Sequence, residues 1–352
     1  MKMLNQLGLS VYISTFDRQK EMLERFQGRG YYVFSSFHWQ EEFNDMDNYC
    51  IKAKEICKWL KDRKFKIIGD VSLKTLEFFK YSSIIEFAKD MGIDVLRLDY
   101  GFSREEILAI SKEYPISFNP STEDENIAKK ILEAGAEIYA LHNFYPRPET
   151  GLDPEGFMDI NHKLKALGIK TLAFIVGDEM KRGPIYEGLP TLEKHRYIPP
   201  YVAFIDLATN YEVDGIFLGD VKISEIQGDL ISDYIRERII NIPVDFLSNY
   251  QYLYDQVFTI RPDSPRTTMR LQESREYSCD GEKQQPFNSI VREKGAITMD
   301  NIGYKRYSGE IQILRRRFPQ DDRVNVIGKL NSNYLSLMDC AKNGGQIRFK
   351  RL

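Results

Sequence analysis

FKIIGDVSLKTLEFFKYSSIIEFAKDMGIDVLRLDYG, residues 65–101, contains the unit from which the fold can be read. FKIIGDVS (65–72) is a short, nearly unbroken apolar run, as a strand buried on both faces of a parallel sheet requires. SSIIEFAKDMG (82–92) then spaces its apolar residues three and four apart, the period of an amphipathic helix. Gly92 closes that run, because glycine adopts the left-handed conformation of a helix C-cap at no steric cost. VLRLDYG (95–101) reads as a strand again. Strand, helix and strand make one βαβ unit.

The same alternation extends in both directions. Further strand signals are LGLSVYI (7–13), YYVFSSF (31–37), ISFNPS (116–121), EIYALHNF (137–144), KTLAFIVG (170–177) and GIFLGD (215–220). Amphipathic stretches lie at 18–27 and 48–63, and Gly135 and Gly168 again stand between a helical run and a strand. Eight strands alternating with helices over roughly 240 residues predict a (β/α)8, or TIM, barrel. An open doubly wound sheet would need a glycine-rich phosphate turn early in the chain, and no G-x-G-x-x-G or G-x-x-x-x-G-K-[ST] follows any strand.

A barrel does not use the whole chain. Of 352 residues, 1–243 carry 31 basic and 39 acidic side chains (net -8), whereas 244–352 carry 18 and 13 (net +5). The pattern changes with the charge: QVFTI (256–260), GAITMD (295–300), GEIQILRRRF (309–318), RVNVIGKL (323–330) and QIRFKRL (346–352) are strand-like and separated by turns such as Asp280-Gly281. Only NSNYLSLMDCA (331–341) looks helical. The expectation is a catalytic-sized barrel over 1–243 and a small, mainly β domain over 244–352.

Several function classes fall away. The overall net charge of -3 lacks the cationic excess of a general nucleic-acid binder. Asn5, Gln6, Ser10 and Ser14 interrupt the first apolar run, so no signal peptide is expected, and no run is long enough to span a membrane. Cys50, Cys57, Cys279 and Cys340 form no C-x-x-C pair and are expected to be free thiols in a reducing cytoplasm. His38, His142, His162 and His195 show no zinc-ligand spacing, and neither a metal nor another cofactor is expected.

In a barrel, chemistry gathers at the carboxyl ends of the strands. Those ends carry Ser36 and His38, Asp70 and Ser72, Arg97, Asp99 and Tyr100, Asn119 and Ser121, His142 and Asn143, Asp178, and Asp220. After the sixth strand, HNFYPRPETGLDPEGF (142–157) holds Arg147 between Pro146 and Pro148, a rigid presentation suited to an anion. After the seventh, GDEMKRGPIYEGLPTLEKHRYIPP (177–200) gathers Lys181, Arg182, Lys194, His195 and Arg196 where this architecture commonly binds phosphate. Carboxylates facing one another across a barrel mouth suit glycoside hydrolysis; the same ring could hold Mg²⁺.

HNFYPRPETGL (142–152), RGPIYEGLPTLEKHR (182–196), Gly219-Asp220 with Ile223-Ser224, AITMDN (296–301) and RYSGEIQ (306–312) together resemble the bacterial 6-phospho-N-acetylmuramidases. The resemblance runs through both halves of the chain. It implies a TIM barrel followed by a cyclophilin-like β domain. It further implies a cytoplasmic glycosidase of cell-wall recycling that splits N-acetylmuramic acid 6-phosphate from N-acetylglucosamine at their β-1,4 bond.

Such a substrate carries a phosphate and a lactyl carboxylate. Arg147, Arg182 and Arg196 are the expected anion partners on the barrel, with Arg261, Arg270 and Arg275 available on the basic domain. Asn119, His142, Asn143, Tyr145, Glu193 and His195 complete the expected binding set, and Tyr100, Tyr145 and Trp39 are candidates to stack on a sugar. By analogy with other barrel glycosidases, Asp99 is assigned as acid/base and Asp178 as nucleophile or water-activating base. Asp70, Asp220 and Glu193 stand in reserve, and an inverting course is compatible with the short Asp side chains. The alternatives are a Mg²⁺-dependent sugar-phosphate lyase or aldolase on the same face and a non-catalytic binding protein. Oligomeric state is left open.

Overall fold

Each of the eight strand signals forms a strand in the computed structural model, which describes residues 7–28, 31–38, 45–121, 125–274 and 284–352. Trp39, Arg275, Cys279 and the Asp280-Gly281 turn lie outside the described residues. The strands are β1 (Leu7–Ser10), β2 (Tyr32–Ser36), β3 (Lys66–Val71), β4 (Val95–Leu98), β5 (Ile116–Phe118), β6 (Ile138–Leu141), β7 (Lys170–Ile175) and β8 (Gly215–Leu218). They pair in parallel and in sequence order, and β8 pairs with β1 to close the barrel. All eight stop short of the carboxyl ends of their signals.

Helices α1 (Phe16–Arg25), α2 (Met46–Asp62), α4 (Ile84–Met91), α5 (Arg104–Ser111), α6 (Glu125–Glu133), α7 (Pro154–Ala166) and α8 (Pro200–Thr209) supply the outer layer. A short α3 (Leu73–Phe79) precedes α4. Its first turn is closed by the Ser72 N–H donating to Thr75 Oγ1 at 3.1 Å, a local signal the apolar spacing does not display. Gly92, Gly135 and Gly168 have φ of 65°, 75° and 76°, the helix-ending conformation expected of them.

Tyr32, Phe34, Ile68, Val95, Tyr139, Leu141, Leu172, Phe174 and Phe217, drawn from six strands, pack as one buried cluster inside the barrel. Rings this large need space elsewhere in the same layers. A Cβ on Gly8 would lie 2.3 Å from the Phe217 ring, so β1 contributes a glycine where its neighbour contributes a phenylalanine.

The chain divides into two compact units, Met1–Glu225 and Ile226–Leu352. After α9 (Glu225–Glu237), the second unit is a seven-stranded sheet of β9 (Ile240–Phe246), β10 (Val257–Thr259), β11 (Thr268–Arg270), β12 (Ala296–Asp300), β13 (Ile311–Leu314), β14 (Val324–Leu330) and β15 (Gln346–Lys350). Their order is β10-β15-β9-β14-β12-β13-β11. Residue 243, where the charge balance changes, lies inside β9, which pairs with β15 on one side and β14 on the other. Charge follows surface composition, and it does not mark where a chain crosses between cores. The expected helix at 331–341 contracts to α10 (Leu337–Cys340), preceded by a 3-10 turn at Ser332–Tyr334. No helix among the described residues is long and apolar enough to cross a membrane.

Candidate active site at the strand ends

Strand periodicity decides which polar residues join the site. Side chains two positions apart share a face, so the lumen-filling Phe34, Ile68, Val95 and Leu141 are succeeded on the same face by Ser36, Asp70, Arg97 and Asn143. Ser36 is in register with Asp70, and Asp70 with Arg97. One further step along β2 and β4 gives His38 and Asp99. The lumen is apolar below and ionisable at its mouth.

The ionisable groups bind one another closely. The Arg97 guanidinium donates from Nη1 to Asp70 Oδ1 and from Nη2 to Asn143 Oδ1. His38 Nε2 lies 3.3 Å from Asp70 Oδ2 and 3.4 Å from Asp99 Oδ2, and its Nδ1 is 3.3 Å from Ser72 Oγ. The exposed Tyr100 ring stacks on the imidazole, with centroids 5.8 Å apart and planes within 14°. Asp70 and Arg97 are buried, whereas the Asp99 side chain is 40% exposed. The cluster therefore has a fixed inner carboxylate and a solvent-facing outer one.

Electrostatics separates the two histidine partners' roles. Burial disfavours the Asp70 carboxylate, but the Arg97 charge and the interaction with His38 outweigh it and hold the pKa below the ordinary value. Burial likewise disfavours the His38 imidazolium, yet Asp70 and then Asp99 overcome it and raise its pKa. Asp70 stays ionised, and His38 holds a proton more readily than a free imidazole.

One donor atom from each of His38, Asp70 and Asp99 can be chosen so that all lie within 4.8 Å of one another, and these residues could ligate a divalent cation. Arg97 opposes this, since its charge already neutralises Asp70.

Other expected site residues are spent on architecture. His142 has the opposite strand parity to Asn143 and points away from the lumen. Its Nε2 pairs with Asn161 Oδ1 of α7 at 2.8 Å, its ring packs on Phe157, and burial lowers its pKa to about 4. His195 is fully buried against Asp206, 2.8 Å away, which also binds Lys194.

Arg196 is likewise interior, at 1% exposure. It donates to both oxygens of Glu193 and to the carbonyls of Tyr145, Arg147 and Gly188. Glu193 in turn accepts from the N–H groups of Glu149 and Gly151, and Arg196 with these contacts draws its pKa down to about 2. This pair fastens the loop after β6 to the loop after β7. Asp220 is buried and accepts from the N–H groups of Gly177, Arg182 and Leu189, which anchors the base of the second loop. Charged residues in a glycine- and proline-rich loop look like ligand groups in sequence, but such a loop also needs internal partners for its backbone.

Asp178 is exposed, with Oδ1 accepting from the Ser224 N–H at 2.9 Å and Oδ2 from Ser224 Oγ at 2.7 Å. Asn119 is buried and accepts from the Ser121 N–H. Tyr145 is half-buried, and the Arg182 guanidinium lies 4.7 Å from the centroid of the Tyr12 ring. Arg147 is exposed on the loop that Arg196 fastens, and no ion pair to its guanidinium occurs among the described residues. On the second unit, Arg261 pairs with Asp263 and Arg270 with Glu310.

Comparison with known proteins agrees with this architecture. The family model for the N-terminal part of 6-phospho-N-acetylmuramidase matches residues 7–232, and that for the C-terminal part matches residues 240–350. A crystal structure of a conserved Enterococcus faecalis protein of unknown function superposes with a TM-score of 0.84 at 28% identity, covering 98% of this chain and 96% of that one. An uncharacterized B. cereus protein superposes with a TM-score of 0.81 at 24% identity over 100% of both chains. No curated protein matches the sequence.

Proposed function

The chain belongs to the 6-phospho-N-acetylmuramidase family, whose members are glycoside hydrolases, and on that premise we propose that it hydrolyses the β-1,4 bond between N-acetylmuramic acid 6-phosphate and N-acetylglucosamine. The reaction releases both sugars and serves the cytoplasmic recycling of peptidoglycan. The observation that carries the reading is the pairing of a buried, ionised Asp70 with a solvent-facing Asp99 at the mouth of the lumen.

Asp99 keeps the role of acid/base, and the second carboxylate moves from Asp178 to Asp70. The Asp99 carboxyl protonates the glycosidic oxygen as its bond to the anomeric carbon breaks. Asp70, kept anionic by Arg97, bonds to that carbon from the opposite face. Water then attacks the same carbon, Asp99 takes its proton, and the bond to Asp70 breaks. A carboxylate oxygen of each residue lies within 4.8 Å of one on the other, so both can face a single glycosidic bond. We assign the retaining course, and the anomer of the product tests it against the inverting one. His38 bridges the two carboxylates and sets the proton balance between them.

Arg147 and Arg182 are assigned to the phosphate and lactyl groups; Arg196 is released from that role because its guanidinium is enclosed. Incubation of the whole protein with the phosphorylated and unphosphorylated muramyl disaccharides tests the reading, with product anomers followed by NMR. Release of N-acetylglucosamine from the phosphorylated substrate, with β product formed first and no loss on adding EDTA, is the expected result. Cleavage of neither substrate would overturn the substrate assignment, and abolition by EDTA would favour the Mg²⁺-dependent alternative.

A further inference from the structure

Two of the motifs that carry the family resemblance, AITMDN (296–301) and RYSGEIQ (306–312), have no part in the barrel site. In the second unit they meet. The Asp300 N–H donates to the Glu310 carbonyl, and the Gly309 N–H donates back to the Asp300 carbonyl, which clamps the end of β12 to the turn before β13. Beside this clamp is a cavity of about 290 Å³. Its wall includes Arg270, Arg292, Asp300, Tyr304, Glu310 and Gln312, all within the second unit. That volume is near the lower end of the ~300–1,000 Å³ typical of small-molecule sites.

Asp300 is 7% exposed, and no hydrogen bond to its carboxyl occurs among the described residues. Glu310 is 1% exposed and takes the Arg270 Nε at 2.7 Å. The Asp300 oxygens are not sealed from solvent; they open on the cavity, where a ligand hydroxyl or amide can take the place of water.

We propose that this cavity is a binding site for one uncharged, hydroxyl-rich molecule of monosaccharide size. The charges of Arg270 and Arg292 balance those available on Asp300 and Glu310, so the wall selects neither an anion nor a cation. Two carboxyls oppose a phosphate, and two guanidinium groups oppose a metal ion. What remains is a mixed set of donors and acceptors with tyrosine rings beside it, the combination that alternating sugar hydroxyls and ring C–H faces satisfy. Burial, with Glu310 and Asp321 nearby, raises the pKa of Asp300 to about 7. This site is independent of the hydrolytic reading.

Methyl NMR of the whole protein, labelled at valine and leucine, provides the test, because Val324 lines the cavity. N-acetylglucosamine and glucose are the sugar probes, and inorganic phosphate is the control. A saturable shift of the Val324 methyl resonances with at least one sugar is expected, with none from phosphate. Asp300→Ala should weaken that response about tenfold, the loss of one buried hydrogen-bonding group. Gln312→Ala, at a half-exposed position, should weaken it severalfold and decides the matter if Asp300→Ala fails to fold. Val324 methyls unmoved by both sugars, shifted by phosphate instead, or shifted equally in the folded variants would overturn the proposal. Sugar binding confined to the barrel would move other methyls and leave those of Val324 in place, which would overturn it too.

Discussion

The imidazole Nε2 of His38 lies 3.3 Å from Asp70 Oδ2, and that contact ties the proton balance of the barrel mouth to its stability. The His38 pKa is raised in the folded protein, so its stabilising contribution is fully present below the ordinary histidine value of 6.5 and is lost as pH rises through the native value. The Asp70 pKa is lowered, so its contribution is present above the ordinary carboxylate range and is lost as pH falls through the native value. Urea denaturation from pH 2 to pH 9 should show the stability advantage of the wild type over His38→Gln shrinking on the alkaline side. The advantage over Asp70→Asn should shrink on the acid side. A pH-independent difference for His38→Gln would mean that its imidazolium is not held by the carboxylates.

The assignment of the two carboxylates predicts unequal effects. Asp99→Asn should lower kcat by about 10²–10⁴, the range of a lost general acid. Asp70→Asn should do at least as much. Asp178→Asn should stay within about tenfold of the wild type, because Asp178 is bound to Ser224 and is not part of the Asp70–His38–Asp99 cluster. Initial rates of N-acetylglucosamine release, with circular dichroism to verify folding, compare the three. Near-normal rates for Asp70→Asn with a collapse for Asp178→Asn would restore the pairing drawn from sequence.

Arg147 is proposed to meet an anion, so its removal should be felt in binding and not in chemistry. Arg147→Ala should raise KM for the phosphorylated disaccharide about 10- to 100-fold, the worth of a charge-assisted hydrogen bond, with kcat little changed. Steady-state kinetics on both disaccharides reads this directly. Equal loss on the unphosphorylated disaccharide would remove Arg147 from phosphate recognition.

Arg196 is predicted to act on stability. Arg196→Met leaves Glu193 without its partner and the carbonyls of Tyr145, Arg147 and Gly188 without their donor. The cost should be about 1–3 kcal/mol, the range for hydrogen-bonding groups left without their partner. Thermal denaturation measures the loss, and limited proteolysis should cut first within 142–157 or 177–200. A variant as stable as the wild type but with a raised KM would return Arg196 to the substrate.

Much of the fold can be read along the chain because its signals are local. Continuous apolar runs mark β1 to β8, and Gly92, Gly135 and Gly168 mark helix ends through a preference of a single residue. β9 was hidden, since Ile240–Phe246 includes Pro243 and straddles the change in charge used to place a boundary. Within the site, Asp70 and Asp99 could be named as candidates from their place at strand ends. The orientation of His142 away from the lumen was also legible, because its parity is opposite to that of Leu141 and Asn143.

Other distinctions could not come from linear order. Arg147, Glu193 and Arg196 are all charged residues in long loops, and nothing in their spacing tells an exposed guanidinium from one enclosed by carbonyls. Likewise, AITMDN and RYSGEIQ could be quoted as marks of a family without revealing that they share a cavity wall. The sequence by itself determined the alternation that closes a barrel, the mainly β character of the second unit and a set of polar strand ends. Tertiary structure alone decided that Arg97 would neutralise Asp70, that His38 would join two carboxylates, and that Arg196 would brace two loops. Burial and charge act through distances between residues far apart in the chain, and those distances exist only once the strands are in register.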